Sequence, residues 1–219
     1  MNTLNMDNTL FIGDLHFGHK NILAYDNRPF NTIEEHDEAL IKNWNGKVGD
    51  EDHVYILGDF SFYNTNKSCE ILDQLKGHKH LIVGNHDNRN YKSEKFRSYF
   101  ESIDEYKKLY LELKPGEKPI RIILCHYPIA SYENMFRNKY YHLYAHVHRS
   151  YDYNMILTIQ RQFKELYGKA PKSYNVGAMM PYMKYTPKRL DEIIALHYFM
   201  SDMLPCNKPT VKKGEEYHG

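Results

Sequence analysis

Seven residues of types that hold divalent cations stand out by their setting, in five separate places: Asp14 with His16, Asp59, Asn85, His126, and His146 with His148. Carboxylate, amide and imidazole donors together suit first-row ions such as Mn, Fe, Co, Ni or Zn, whereas Ca prefers an all-oxygen shell. Seven donors exceed one tetrahedral shell and fit two ions that share a carboxylate; Asp59, alone in its segment, is the natural bridge. Two ions about 3.5–4 Å apart clamp a phosphate, activate a water between them and stabilise an in-line displacement. The departing oxygen then needs a proton. His86, beside Asn85 and on the other side of the backbone, is the candidate general acid. Asp87 is expected either to orient His86 or to cap the segment that follows.

Every one of these clusters follows an apolar run. Leu10-Phe11-Ile12-Gly13 precedes Asp14, and Val54-Tyr55-Ile56-Leu57-Gly58 precedes Asp59. His80-Leu81-Ile82-Val83-Gly84 precedes Asn85, Ile122-Ile123-Leu124-Cys125 precedes His126, and Leu143-Tyr144-Ala145 precedes His146. Short β-branched runs of this kind read as buried parallel strands, and ligands bind outside the carboxyl ends of such strands. The pattern predicts strands over Thr9–Ile12, Val54–Leu57, His80–Val83, Ile120–Cys125, Tyr141–Tyr144 and Tyr174–Val176. It predicts a helix over Thr32–Trp44, started by a Thr32/Glu35 capping box and striped by Ile33, Leu40, Ile41 and Trp44. A second helix is expected over Thr65–Lys76, stopped by Gly77. Tyr106–Leu113 and Ile120–Cys125 read as a hairpin around Pro115-Gly116. The fold class is therefore α/β, with a mixed sheet or two packed sheets. Directly after His148, residues 152–167 carry Ile156, Ile159, Phe163, Leu166 and Tyr167 at helical spacing. This extra helix reads first as edge packing, and otherwise as a docking element or a lid.

The rest of the chain narrows the partners. Its 219 residues hold 29 basic and 28 acidic side chains, a net charge of +1. That balance gives no general drive toward nucleic acid or an anionic membrane. No apolar stretch of transmembrane length occurs, and the polar start, Met1 to Asp7, lacks the pattern of a signal peptide. Cys69, Cys125 and Cys206 are odd in number and far apart, so a reducing cytoplasm is the expected compartment. Cys125 is expected to be buried and inert beside His126. Twenty tyrosines fit a compositional bias better than a base-stacking surface. From Ser201 the chain turns polar and reads as a loose tail.

The order Asp-x-His, Gly-Asp, Gly-Asn-His-Asp, His and His-x-His resembles the calcineurin-like metallophosphoesterase superfamily over about Leu10–Pro187. The resemblance implies a four-layer α-β-β-α sandwich of two mixed β-sheets flanked by helices, occupying residues 1–200, with 201–219 as the tail. It places the first ion on Asp14, His16, Asp59 and His148, the second on Asp59, Asn85, His126 and His146, and the general acid at His86. Leu15 to Ile22, Arg28-Pro29-Phe30 and Tyr174-Asn175-Val176-Gly177 are similar to a subgroup of small bacterial and phage phosphoesterases. Two positions depart from the pattern: Ala145 stands where the family has Gly, which asks for negative φ there, and Ala178 stands where related sequences carry a polar residue. The implied cofactors are two divalent ions, Mn favoured. The expected reaction is attack of a metal-bridging hydroxide on a phosphodiester, a small nucleotide-like one, because His86 as general acid helps most when the leaving group is poor. A phosphomonoesterase and a nuclease on longer nucleic acid are the alternatives, the nuclease disfavoured by the near-neutral charge. A non-catalytic docking module would be marked by lost ligands, and none is lost. His19, Arg28 and Tyr127 are candidate substrate contacts. Arg28 would offer a bidentate fork and Tyr127 a pocket wall; a local hydrogen bond, helix packing and core packing are their respective alternatives. The oligomeric state stays open, a homodimer among the options.

Overall fold

The run Thr-Leu-Phe-Ile at residues 9–12 is buried at every position, as a strand covered on both faces must be. It is the edge of a four-stranded sheet in a computed structural model that describes residues 4–113 and 116–201. In chain order the elements are β1 (Leu4–Asn5), β2 (Thr9–Ile12), α1 (Ile22–Tyr25), α2 (Ile33–Lys47), β3 (His53–Ile56), α3 (Thr65–Leu72), β4 (His78–Ile82), α4 (Asn88–Tyr91) and α5 (Glu94–Arg97). Then follow β5 (Phe100–Asp104), β6 (Tyr106–Glu112), β7 (Ile120–Cys125), β8 (Tyr140–Tyr144), α6 (Tyr151–Tyr167), β9 (Ser173–Asn175) and α7 (Leu190–Ser201).

One sheet runs β2-β3-β4-β5 and is parallel throughout; the other runs β1-β6-β7-β8-β9, with β6 and β7 antiparallel and its other pairs parallel. The antiparallel pairing read from Tyr106–Leu113 is thus confined to the five-stranded sheet. Helices flank the two sheets, in the four-layer α/β arrangement expected. One cluster of buried side chains runs through both sheets, including Phe11, Ile12, Val54, Ile56, Leu81, Ile122, Leu124 and Leu143. Beyond the strands, Gly13 forms a lone parallel bridge with Gly177, and the N–H of Gly13 donates to the carbonyl of Val176 at 2.9 Å. The carboxyl ends of the two sheets therefore open onto one rim.

Two helix boundaries differ from the periodic pattern. The Thr32 hydroxyl accepts the Glu35 N–H at 3.1 Å, and the Glu35 carboxylate reaches back to the Asn31 N–H at 2.9 Å. The helix so started runs to Lys47, because Asn45-Gly46 is tolerated as a last helical turn. Helix α3 ends early, at Leu72, and its tail closes into turns from Gln74 to Ile71 and Leu75 to Leu72. Helix α6 is capped by Ser150, whose hydroxyl accepts the Asp152 N–H, and at its other end by Gly168 in the left-handed region. It buries Tyr153 and Ile156. Its Phe163 meets Phe136 edge-on at 5.6 Å. Leu166 and Tyr167 stay exposed. Cys69 is buried and Cys125 half-buried, both as free thiols; Cys125 is thus less enclosed than expected, although burial still raises its pKa. No helix among the described residues is long and apolar enough to cross a membrane. The tail expected over 201–219 and Cys206 lie outside the described residues, except Ser201, which ends α7.

Candidate metal centre

The ligand loops are short and sharply turned. Asp14, His16, Asp59, His146 and His148 all adopt positive φ, between 46° and 66°. For residues with a Cβ this left-handed conformation costs of order 1–3 kcal/mol each, and such strain clusters at functional sites. Glycines let the loops nest. A Cβ on Gly58 would lie 2.4 Å from Nδ1 of His126, and one on Gly84 would lie 2.4 Å from Oδ1 of Asp59.

Donor atoms of Asp14, His16, Asp59 and His148 all come within 4.8 Å of one another. Asp14, His16 and Asp59 are buried. Oδ2 of Asp14 and Nε2 of His16 have no hydrogen-bond partner, which is rare for buried polar atoms. Burial drives the Asp14 carboxyl upward and the His16 imidazole well below its ordinary pKa, so each is pushed toward its uncharged form. A divalent cation held by this group would satisfy both orphans and reverse the penalty on the carboxylate.

The second donor group adjoins the first through Asp59. Its Oδ2 lies 3.6 Å from Nε2 of His16 and 3.6 Å from Nε2 of His126. Oδ1 of Asn85 lies 3.0 Å from Nε2 of His126 and 2.9 Å from Nδ1 of His146. The Nδ1–H of His126 donates to the Leu57 carbonyl at 2.7 Å. In a neutral ring that leaves a lone pair on Nε2, facing the lone pairs of the Asn85 oxygen. Two acceptors at that distance call for a proton or a cation between them. The donor set therefore fits two ions, with Asp59 where a shared ligand belongs.

His86 is exposed at the open side of this cluster. Its backbone N–H donates to Oδ1 of Asp59 at 2.9 Å, and its ring stands 4.8 Å from the Phe62 ring and 5.9 Å from that of His16. Asp87 does neither thing expected of it. Its carboxylate accepts the N–H groups of Asp59, Phe60 and Gly84 at 2.8–2.9 Å. It makes no side-chain cap on α4. No bond joins it to His86, because the buried carboxylate faces the β3 loop instead. Burial, then the neighbouring Asp59, push its pKa up to about 6.

Arg28 is the second correction. Its guanidinium is wholly buried, and all five N–H donors are engaged: Nε and Nη2 with Asp26, Nη2 with the Asp14 carbonyl, and Nη1 with the Leu15 carbonyl and Nε2 of His36. No donor remains for a substrate phosphate. His19 is half-buried, its ring stacked on Phe62 at 3.9 Å and its Nδ1 3.2 Å from that of His16, which gives it the local partner weighed above. Burial lowers its pKa to about 4. Tyr127 lies at the rim, 45% exposed, its ring edge-on to His146 at 4.5 Å. Two residues went unread in the sequence. Phe62 packs over His16, His19 and His86. Asp26 bonds His148, one of the candidate ligands. Each had a weak signal: Phe62 lies three residues past Asp59, and Asp26 lies two before Arg28.

Comparison with known proteins agrees with this geometry. The model of the calcineurin-like phosphoesterase family matches residues 8–177. An uncharacterised protein of Methanocaldococcus jannaschii is 33% identical over 195 residues, which cover 88% of this chain and 93% of that protein. The gene 66 protein of Mycobacterium phage L5 is 44% identical over 85 residues, 37% of this chain and 41% of its own. Among solved structures, a protein of unknown function from Aquifex aeolicus superposes with a TM-score of 0.60 at 26% identity, covering 86% of this chain and 98% of that one. With the family match covering β2 to β9 and every candidate ligand loop, this chain belongs to the calcineurin-like phosphoesterases.

Proposed function

We propose that the protein hydrolyses a small, nucleotide-like phosphodiester with two divalent ions, Mn favoured. Asp14, His16, Asp59 and His148 hold the first ion; Asp59, Asn85, His126 and His146 hold the second. Bound there, the ions supply water activation and charge neutralisation on the phosphate. The chain's own residues do the remainder. Asp59 couples the two donor groups. His86, open to solvent above them, gives a proton to the departing alkoxide and regains one from water. Phe62 packs against one side of that imidazole and limits its swing. Tyr127 borders the opening beside His146.

The observation that carries this reading is Asp59 Oδ2, equally far from a histidine nitrogen of each donor group, with His86 beside it. A diester is favoured because a general acid matters most when the leaving group is poor. The net charge of +1 favours a small ester over tracking a long polyanion. The test compares leaving groups. His86→Ala should lower turnover of an alkyl diester or cyclic nucleotide by about 10²–10⁴-fold, leave a bis-nitrophenyl ester far less affected, and retain the parent's metal content. Equal losses on both substrates, or loss of metal, would contradict the assignment.

A further inference from the structure

Outside the ligand set lies a buried chain of charged groups that the reaction does not use. It begins at the first turns of α2, where Asp37 accepts the Gly18 N–H at 3.0 Å and the Nδ1–H of His36 at 2.8 Å. Nε2 of His36 accepts from Nη1 of Arg28 at 2.9 Å. The Arg28 guanidinium then holds Oδ2 of Asp26 through Nε and Nη2, at 3.0 and 2.8 Å. Asp26 in turn accepts the Nδ1–H of His148 at 2.9 Å. Asp26, Arg28, His36 and Asp37 are all buried, and Tyr185 covers the guanidinium at 5.8 Å.

Burying an ion pair gains little stability against a well-packed apolar substitute, so its use lies elsewhere. Arg28 has donors only, and a carboxylate has acceptors only. That polarity fixes both imidazoles: His36 carries its proton on Nδ1, and so does His148. In a neutral ring that leaves Nε2 of His148 as the nitrogen free for the group it forms with Asp14, His16 and Asp59. The same guanidinium holds the carbonyls of Asp14 and Leu15, within the strained loop that carries Asp14 and His16. One ion pair thus joins the loop after β2 to the loop after β8, two parts of the first ion's shell that come from different sheets.

We infer that Asp26 and Arg28 are the positioning pair of the first metal ion, setting its affinity by holding the His148 ring and the Asp14–His16 loop in register, with little influence on the second ion. The inference rests on the two-ion reading above, and it concerns binding rather than turnover. Neither residue reaches substrate, so both act through the ligands.

The test is calorimetric titration of the metal-free protein with Mn, with the two classes of site assigned by His146→Ala, which removes a ligand of the second ion alone. Asp26→Asn keeps the shape but turns an amide N–H toward either Arg28 or His148, two donors facing. It should weaken the first class by about 10–100-fold and leave the second at the parent's affinity. Arg28→Lys, with three donors in place of five and no planar fork, should act in the same direction and serves where Asp26→Asn does not fold. A lower melting temperature of the metal-free variants with both affinities unchanged would overturn the inference and make the pair purely structural; so would equal weakening of both classes. Failure of the parent to bind two ions would overturn the two-ion reading and this one with it, whereas a parent that binds two ions but hydrolyses no diester leaves the inference standing.

Discussion

Gly13 and Ala145 offer a measure of how tightly the two sheets are joined above the metal centre. Gly13 follows β2 and is buried; a Cβ built on it would lie 2.7 Å from the Ala145 Cβ, 3.1 Å from the Leu57 carbonyl oxygen and 3.3 Å from the Leu57 Cβ. Gly13 does not have positive φ, so alanine is allowed by the backbone there and excluded by space alone. Gly13→Ala should therefore act as overpacking, about 1–3 kcal/mol, which for a chain of this size lowers the melting temperature by roughly 2–10 °C. The push falls on Ala145, whose neighbour His146 donates its N–H to Oδ1 of Asp14 at 3.1 Å, so Mn affinity should fall as well. Ala145→Gly alone should also destabilise, through lost packing and a freer unfolded chain. In the double variant the 2.7 Å contact is gone, and only the looser Leu57 contacts remain. The double variant should then be more stable than the sum of the single changes requires, by roughly 0.5–3 kcal/mol. Urea unfolding of the metal-free proteins, with Mn titration beside it, gives the cycle. Additive losses would refute direct cross-sheet contact as the source of the strain.

Asp59→Asn should reduce the metal content after Mn reconstitution from two ions per chain to one or none; elemental analysis that finds the parent's content unchanged would remove Asp59 as the bridge. His142 is buried and neutral, its Nδ1–H donating to the Ile123 carbonyl and its Nε2 accepting the Ile129 N–H, each at 3.0 Å, and burial holds its pKa at about 4 against an ordinary 6.5. The unfolded chain binds a proton that the fold refuses, so this contribution is full above pH 6.5 and falls by about 3 kcal/mol as the pH drops toward 4; His142→Gln should flatten that window, and parallel stability curves for parent and variant would refute it. On α6, Phe163→Asp should change the solution mass if the exposed end of the helix docks another chain and leave it unchanged if the helix only packs on its own edge, which light scattering decides.

The strands were legible because an apolar β-branched run can hardly be anything but a covered strand; Thr9–Ile12 and Ile120–Cys125 keep their read boundaries to the residue. Helix ends were less so, since Asn45-Gly46 stops a helix by propensity but not against the packing of Trp44, whose indole N–H bonds the Lys76 carbonyl. The candidate donors could be picked out by type and place, and the structure brings four of them, Asp14, His16, Asp59 and His148, within 4.8 Å of one another. Their supports were not, because support depends on which hydrogen-bonding capacity is already engaged. Arg28 looked like a phosphate fork, yet its five donors are occupied inside the fold. Asp87 looked like a cap or a partner for His86, yet it collects three backbone N–H groups from two loops. Asp26, in Asp26-Asn27-Arg28-Pro29, reads as an ordinary turn carboxylate until β8 brings His148 across from the other sheet.

Those supports explain how five left-handed residues among the candidate ligands can persist together. Strain at non-glycine residues survives only where the surroundings over-determine the conformation, and at each ligand loop a polar side chain does so. Arg28 holds the carbonyls of Asp14 and Leu15. Asp87 ties the N–H groups of Asp59 and Gly84 together. Asp14 itself accepts the His146 N–H, and the Asn175 amide donates to the His148 carbonyl at 3.0 Å. Most of these anchors are side chain to backbone, so they fix the turn and leave the metal-facing atoms free. That division is what a preorganised site requires: the loops are ordered by bonds that do not involve the ion, and ion binding need not supply the ordering entropy. It also accounts for the unpartnered atoms at this centre, Oδ2 of Asp14 and Nε2 of His16, which a fold free to relax would have paired with each other or with a neighbour.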